Sequence, residues 1–271
     1  MILEKELIKD YLVGTDCEVF LRDKNTGKII TSEGIIKGTK KEPFKFDSEN
    51  EHYATSLDCV LSEFTTEPCK TSGQFYLAIE KALRYINEMI PENLETVAIP
   101  AARLDEDQLQ SSIANEFGCE SSLNCWTLDS VRPQPTGDTL RSAGLHLHCS
   151  YENATTEISL NLARAMDVFL GIPSVLLEPE NERKTVGYGC AGNIRMQNHG
   201  VEYRTLSSHF ASSQELIEWS FKQTEAAIKF INEGRIDEII NDGEEIQSII
   251  NTTDKVLAQQ WVDRFNIQMP K

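Results

Sequence analysis

In the first quarter of the chain, polar and apolar positions alternate in short runs, the two-residue period of a strand with one face buried. Residues 17–22 (CEVFLR) alternate in this way, residues 23–27 (DKNTG) carry a hairpin-turn signal, and residues 28–36 read as the returning strand. Residues 57–65 (LDCVLSEFT) alternate again. The period then changes. Over residues 72–89 the apolar Phe75, Ile79, Leu83 and Ile86 recur at helical spacing, and Pro91 closes the segment. Short strands are expected at residues 96–100 and 201–206. Residues 145–150 (LHLHCS) alternate strictly, which sets His146 and His148 on one face. A long helix is expected over residues 155–170, capped near Asn153 or Thr155 and stopped by Gly171 and Pro173. From residue 212 the pattern is helical throughout, over 212–232, 237–250 and 253–265. Strands and helices mix without regular βαβ alternation, so the expected fold class is α+β, a mainly antiparallel sheet flanked by helices with a helical C-terminal tail. Residues 1–210 are expected to form the main domain, and residues 211–271 a helical extension packed on it.

Composition narrows the function classes. At 271 residues with 40% hydrophobic content, the chain can bury a substantial core. It has no uninterrupted apolar run of the ~18 residues a membrane-spanning helix requires. Its start, MILEKELIKDY, has no long apolar run and is not a secretory signal, so a cytoplasmic location is expected. The net charge of -17, from 43 acidic and 26 basic residues, disfavours non-specific nucleic-acid binding. The charge is equally that of a soluble surface, or of carboxylates gathered to hold divalent cations. Seven cysteines occur with no CxxC pair, so neither a zinc ribbon nor a thioredoxin motif is indicated, and free thiols are expected.

Four groups of residues carry candidate chemistry. Asp16 and Glu18 are two apart on an expected strand, so both carboxylates face one way, either as a solvated edge or as oxygen ligands for a hard cation such as magnesium. Asp58 and Glu63 are at odd spacing, and a bulge between them would bring them to one face. His146 and His148 follow Arg141 and Gly144, and an HxH strand can hold a metal or supply a donor to a nucleotide. Glu202 and Arg204 share a face, as a structural ion pair or, with Arg195 and the nearby glycines, as part of a phosphate site. Lys40, in Gly38-Thr39-Lys40-Lys41, lies either on a solvated turn or against a phosphate; the Walker A spacing is missing.

Taken in order, Asp16-x-Glu18, Asp58 with Glu63, Gly144-Leu145-His146-Leu147-His148, Arg195 and Glu202-Tyr203-Arg204 resemble the glutamine-synthetase-like superfamily. The closer resemblance is to the phage-type COOH–NH2 ligases (amidoligases), type 2. It is carried by GTDCEVFLRD, GTKKEP, LDCVLSEF, FGCESS, RSAGLHLHCS and YGCAGNIRMQNHGVEYRTLS. Asp16 departs from the pattern, since glutamine synthetase has the longer Glu there.

The resemblance implies a glutamine-synthetase-like catalytic domain that joins a carboxylate to an amine through an acyl phosphate, with ATP as co-substrate and two or three magnesium ions. It implies that Glu18 and Glu63, with Asp58, hold a cation near the acceptor carboxylate, and that Asp16, His146 and Glu202 hold the cation on the ATP phosphates. His148 would touch the nucleotide, Arg195 and Arg204 the transferring phosphoryl group, and Arg141 and Lys40 the phosphates. The implied partners are a small-molecule or peptide carboxylate and an amine, with no membrane; a modified nucleotide base remains open as substrate. A viral enzyme of this kind would work in the host cytoplasm. Two other readings keep the fold: a guanidino-kinase-like phosphotransferase, and an inactive binding or virion protein. A zinc hydrolase built on His146 and His148 lacks HExxH and an obvious third histidine.

Overall fold

A computed structural model describes residues 7–46, 50–115, 122–132, 139–180 and 182–270. Of the stretches quoted above, residues 1–6 of MILEKELIKDY and 117–121 of FGCESS lie outside the described residues. The fold is α+β, a large antiparallel sheet flanked by helices.

Thirteen strands appear among the described residues. In chain order they are β1 (Leu12–Asp23), β2 (Ile29–Ile30), β3 (Phe44–Lys45), β4 (Ala54–Asp58), β5 (Leu61–Thr65), β6 (Leu94–Val97) and β7 (Ala101–Arg103). They continue with β8 (Ser122–Asn124), β9 (Ser130–Val131), β10 (Leu140–Ser142), β11 (Leu145–Ser150), β12 (Asn193–Gln197) and β13 (Gly200–Tyr203). Eleven form one sheet in the order β3-β4-β5-β1-β11-β13-β12-β8-β9, with β2 and β6 both pairing to β1; β7 and β10 form a small second sheet. The long β1 is the hinge of this arrangement. Its first half pairs with β11 and β5, and its second half with β6 and β2.

The helices are α1 (Ser72–Met89), α2 (Thr156–Met166), α3 (Ile172–Leu177), α4 (Gln214–Asn232), α5 (Gly243–Thr252) and α6 (Lys255–Arg264). They cover one face of the sheet. Strand residues of one parity, Val13, Cys17 and Val19 on β1 and Leu145, Leu147 and Cys149 on β11, are buried with Phe75 and Ile79 of α1, Leu162 of α2 and Phe221 and Ile228 of α4 in one core. Phe75 and Phe221 stand 5.7 Å apart, ring centre to ring centre. The last helices share that core through Ile246, Ile249 and Trp261. The alternation that buries Leu145 and Leu147 turns His146 and His148 to the opposite face.

Several sequence expectations are met and four are corrected. The helix over residues 72–89 and the strand over residues 145–150 have the expected bounds. Thr155, one of the two expected caps, accepts the Ile158 N–H. Residues 28–36 are not one strand. Only Ile29 and Ile30 pair, because the polar run Thr31-Ser32-Glu33-Gly34 turns the chain, with both Ile35 and Ile36 N–H donating to the Ser32 carbonyl. Residues 57–65 are a hairpin rather than a bulged strand. The Cys59–Val60 loop reverses the chain, Cys59 adopting φ 56°, and Asp58 faces Leu61.

The helix does not stop at Gly171. A wide π turn over Asp167–Gly171 leads straight into α3. Pro173 then falls in the first turn after the widened segment, where a missing N–H is tolerated. The continuous rod Thr156–Leu177 is therefore long and apolar enough, by composition alone, to cross a membrane, but 72% of its most apolar window is buried inside the protein. Near the C-terminus, short 3-10 turns occupy residues 235–242, and α5 starts only at Gly243.

Candidate active site

Strand register brings the chemical side chains to the face away from the helices. On β1, Glu18 pairs with Glu63 of β5 and Asp16 with His146 of β11. His148 pairs with Glu202 of β13, and Glu202 with Arg195 of β12. Paired residues project to the same side, so Glu63, Glu18, Asp16, His146, His148, Glu202 and Arg195 share one face. The β4–β5 hairpin adds Asp58, because Ser56 pairs with Glu63 and Asp58 lies two residues on. Cys17, between the two carboxylates of β1, points into the core.

The face carries two groups of ligand-type atoms. In the first, carboxylate oxygens of Glu18, Asp58 and Glu63 lie within 4.8 Å of one another. Glu18 also accepts the Gly144 N–H at 2.7 Å. Burial and then the neighbouring carboxylates, Asp58 and Glu63, hold the Glu18 carboxyl well above its ordinary range. Burial, Asp16 and Asp58 push Glu63 up to about 8. Lys40 answers this crowding, its Nζ 2.8 Å from Asp58 and 3.6 Å from Glu63. Burial works against its charge, but Asp58, Glu63 and Glu18 outweigh that and raise its pKa. An open cavity of about 330 Å³ lies beside this group, bordered by Lys40, Ser56, Glu63, Thr65 and Arg195.

The second group is Asp16, His148 and Glu202, again within 4.8 Å. His146 Nδ1 is 2.8 Å from Asp16, and His148 Nε2 is 3.3 Å from the same carboxylate oxygen. Burial opposes the Asp16 charge, but the two histidines overcome it and hold the carboxyl well below its ordinary range. Burial and then Arg204 lower the pKa of His146. A neutral His146 donating Nδ1–H to Asp16 keeps a lone pair on Nε2. Burial also disfavours the charged His148, yet the adjacent Asp16 raises its pKa. Glu202 is fully buried and ringed by donors: Arg204, Arg195 at 3.1 Å and Gln197 at 3.1 Å. Burial and Asp16 oppose its charge, while Arg204 and the two histidines leave its pKa lowered.

The two groups sit side by side, since Asp16 belongs to one and Glu18, the next same-face position of β1, to the other. The geometry gives the histidines, Lys40 and Arg141 the following partners. Both histidines reach the Asp16–Glu202 pair: His148 groups with them, and His146 Nδ1 lies 2.8 Å from Asp16 and 3.9 Å from Glu202. Lys40, expected against phosphate, is engaged by carboxylates. Arg141, also expected at phosphate, lies on β10 of the small sheet, and its buried guanidinium donates to the Leu140 and Ala114 carbonyls. The remaining expected residues meet on the one face.

Arg183, Gln197 and Gly144 complete the floor, and only Arg183 leaves no signal in the sequence. Arg183, almost fully buried, donates to the Ser142 hydroxyl at 3.2 Å and to the Thr205 carbonyl at 2.9 Å, tying the chain after Arg204 to the start of the histidine strand. It comes from a polar loop with no periodicity, so nothing in the pattern flags it. Gln197, two residues past Arg195 on one strand face, was legible from the same alternation. Gly144 is required by packing, because a Cβ there would lie 2.5 Å from His146 Nε2.

A face of this kind, with oxygen-rich groups beside a buried carboxylate and two guanidiniums, is suited to binding cations and phosphate together. Residues 140–229 match the family model for phage phiEco32-like COOH.NH2 ligase-type 2. That stretch contains Arg141, His146, His148, Arg195, Glu202 and Arg204, while the carboxylates of β1 and the β4–β5 hairpin precede it. The resemblance to the type 2 COOH–NH2 ligases is therefore shown on these residues. Among solved structures, the chain is similar to a bifunctional glutathione synthetase from Pasteurella multocida, with 11% identity and a TM-score of 0.49. The likeness covers 95% of this chain and 47% of that one, so the chain spans about half the length of that protein. No curated protein sequence matches it.

Proposed function

We propose that the chain is an ATP- and magnesium-dependent carboxylate–amine ligase of glutamine-synthetase-like type, acting through an acyl phosphate. The observation that carries this reading is the convergence, by strand register, of two carboxylate groups and the Arg195–Glu202–Arg204 cluster on one face. In this reading residues 1–210 are the catalytic domain and residues 211–271 an extension packed on it.

The donor chemistry fits magnesium. Glu18, Asp58 and Glu63 offer only oxygens, and Asp16 and Glu202 offer oxygens with a histidine nitrogen at hand. Burial, and then like charges this close, raise the Glu18 and Glu63 carboxyls, and a divalent cation relieves the repulsion. When bound, magnesium supplies charge neutralisation for the phosphates and the acceptor carboxylate.

The chain's own groups do the rest. The acceptor carboxylate is a poor electrophile; in-line attack of its oxygen on the γ-phosphoryl group breaks the bond to ADP and yields the acyl phosphate. Arg195 and Arg204 spread over the equatorial oxygens of the group in transit, where guanidinium forks match the charge. Glu202 fixes both forks. The amine then attacks the acyl carbon and phosphate leaves. No serine or cysteine nucleophile is required.

The test is ADP release measured for purified protein with ATP and magnesium, across a matrix of carboxylates and amines read by mass spectrometry. Release that requires both a carboxylate and an amine, with an amide product, is expected. Phosphorylation of a guanidino substrate without amide formation would replace this reading with the phosphotransferase.

A further inference from the structure

Against the two carboxylate groups lies a small cavity, walled in part by Glu18, His146 and Arg204, whose occupant the phosphoryl chemistry does not assign. Glu18, Gly144, Arg183, Tyr188, Asn193 and Arg204 line it. Its accessible space, about 10 Å³, is that of one water-sized group. Its wall includes an anomaly. Asn193 is 6% exposed, and no hydrogen-bond donor reaches its Oδ1 among the described residues. Buried acceptors of this kind are normally satisfied, and leaving one bare is costly.

Strand β12 fixes this oxygen in place. The Asn193 carbonyl accepts the Arg204 N–H at 2.9 Å, so the two residues are neighbours, and Asn193 is two before Arg195 on the same face. The cavity is also built to be tight. Gly189, at φ 65°, lets Arg183 pass where a Cβ would stand 2.5 Å from Nη1.

From this geometry we infer that the cavity receives the nitrogen of the amine substrate as a primary amine or ammonia group, with Asn193 Oδ1 accepting one of its N–H bonds. The inference rests on the ligase reading above. An acceptor oxygen asks for a donor, and a cavity of one heavy atom admits ammonia or the end of a primary amine but not a secondary amine. The Glu18 carboxyl, which accepts the Gly144 N–H, lies on the same wall. The adjacent guanidiniums do not repel a cationic form, because Arg204 is paired with Glu202 and Arg183 has Glu178 at 3.8 Å and two backbone carbonyls. The position beside Arg204 and Glu18 is where a nucleophile must wait for an activated acyl group. A nitrogen bound there also displaces the water that would otherwise compete for that group.

Thermal unfolding with ammonium, methylammonium, sodium, potassium or tetramethylammonium chloride at equal ionic strength tests the assignment. Ammonium and methylammonium are expected to raise the Tm by a few degrees in a saturable way, since a ligand bound only by the folded state stabilises it. Ammonium alone acting would mark free ammonia as the source; methylammonium acting as well would mark the end of a larger primary amine. Asn193→Leu, close in size but without the acceptor, should abolish the shift, and Asn193→Asp, which keeps it, should retain it. The Tm shift given by ATP with magnesium, read on the same samples, should persist in both variants. Its loss in wild type would count against the ligase reading instead. An equal response to potassium, an unchanged ammonium shift in Asn193→Leu, or no response of wild type to either amine would overturn the assignment, the last leaving a structural water as the occupant.

Discussion

Lys40 Nζ lies 2.8 Å from Asp58 Oδ2, with Glu63 3.6 Å away, so a side-chain ammonium fills the role of counter-charge among three carboxylates. The lysine is 44% exposed and sits on the turn between Thr39 and Glu42. In the proposed ligase it would hold the place of a cation of higher charge.

That relationship predicts the behaviour of Lys40→Met. Without metal, the three carboxylates lose their neutralising partner, and the Tm in a chelator should fall below that of wild type. Magnesium should then stabilise the variant more than it stabilises wild type. The measurement is thermal unfolding of both proteins with EDTA and with magnesium; equal magnesium shifts would separate Lys40 from the cation site.

The metal-free protein should lose stability as pH rises from about 4.5 to about 8. The folded state raises Glu63 from 4.5 to about 8 and raises Glu18 as well, so it holds protons that the unfolded chain releases. Their contribution is complete below the unfolded value and disappears as pH passes the folded one. Asp16 and Glu202, whose values are lowered, act in the opposite sense and only at more acid pH. Denaturant unfolding across that interval in EDTA checks the slope, and magnesium should flatten it.

Glu63→Ala and Glu18→Ala should stop ADP formation while leaving the fold intact. Each removes an oxygen ligand from the first group and also one of its repelling charges. Thermal stability in EDTA should therefore hold or rise even as turnover is lost. ATP turnover at the wild-type rate in these variants would show that the carboxylates are not part of the active site.

Arg204→Lys should lower kcat on the order of a hundredfold, a few kcal/mol of transition-state stabilisation, with little change in ATP affinity. A lysine keeps the charge but not the fork. Calorimetric nucleotide binding in magnesium, paired with single-turnover ADP formation, separates the cases. Weakened binding with an unchanged rate for bound ATP would make Arg204 a ground-state anchor. No change in either would reduce the Glu202–Arg204 pair to a structural ion pair.

Much of the site was legible because strands expose it by a simple rule. Two-residue alternation is enough to set Asp16 with Glu18, His146 with His148, and Arg195 with Gln197. Less legible was anything set by reversal of the chain. Asp58 and Glu63 meet through a hairpin loop at Cys59, a residue type with no special preference for φ 56°, so their odd spacing reads as a bulge. The helix past Gly171 continues for a related reason. Gly and Pro signal a stop locally, but the π turn absorbs both. Arg183 owes its position to contacts with segments far apart in sequence, Ser142 and Thr205. Which ring nitrogen of each histidine meets Asp16 depends on ring orientation, which alternation does not specify.

Strand β1 gives one carboxylate to each group, Asp16 to one and Glu18 to the other. Two residues along a strand advance it by about 6.6 Å, a step set by bond lengths and angles rather than by side-chain packing. The backbone thus serves as a gauge block between the two groups. Repacking the core can tilt or loosen either one, but only an insertion or deletion within β1 can respace them, and it would also turn every later side chain of the strand to the other face.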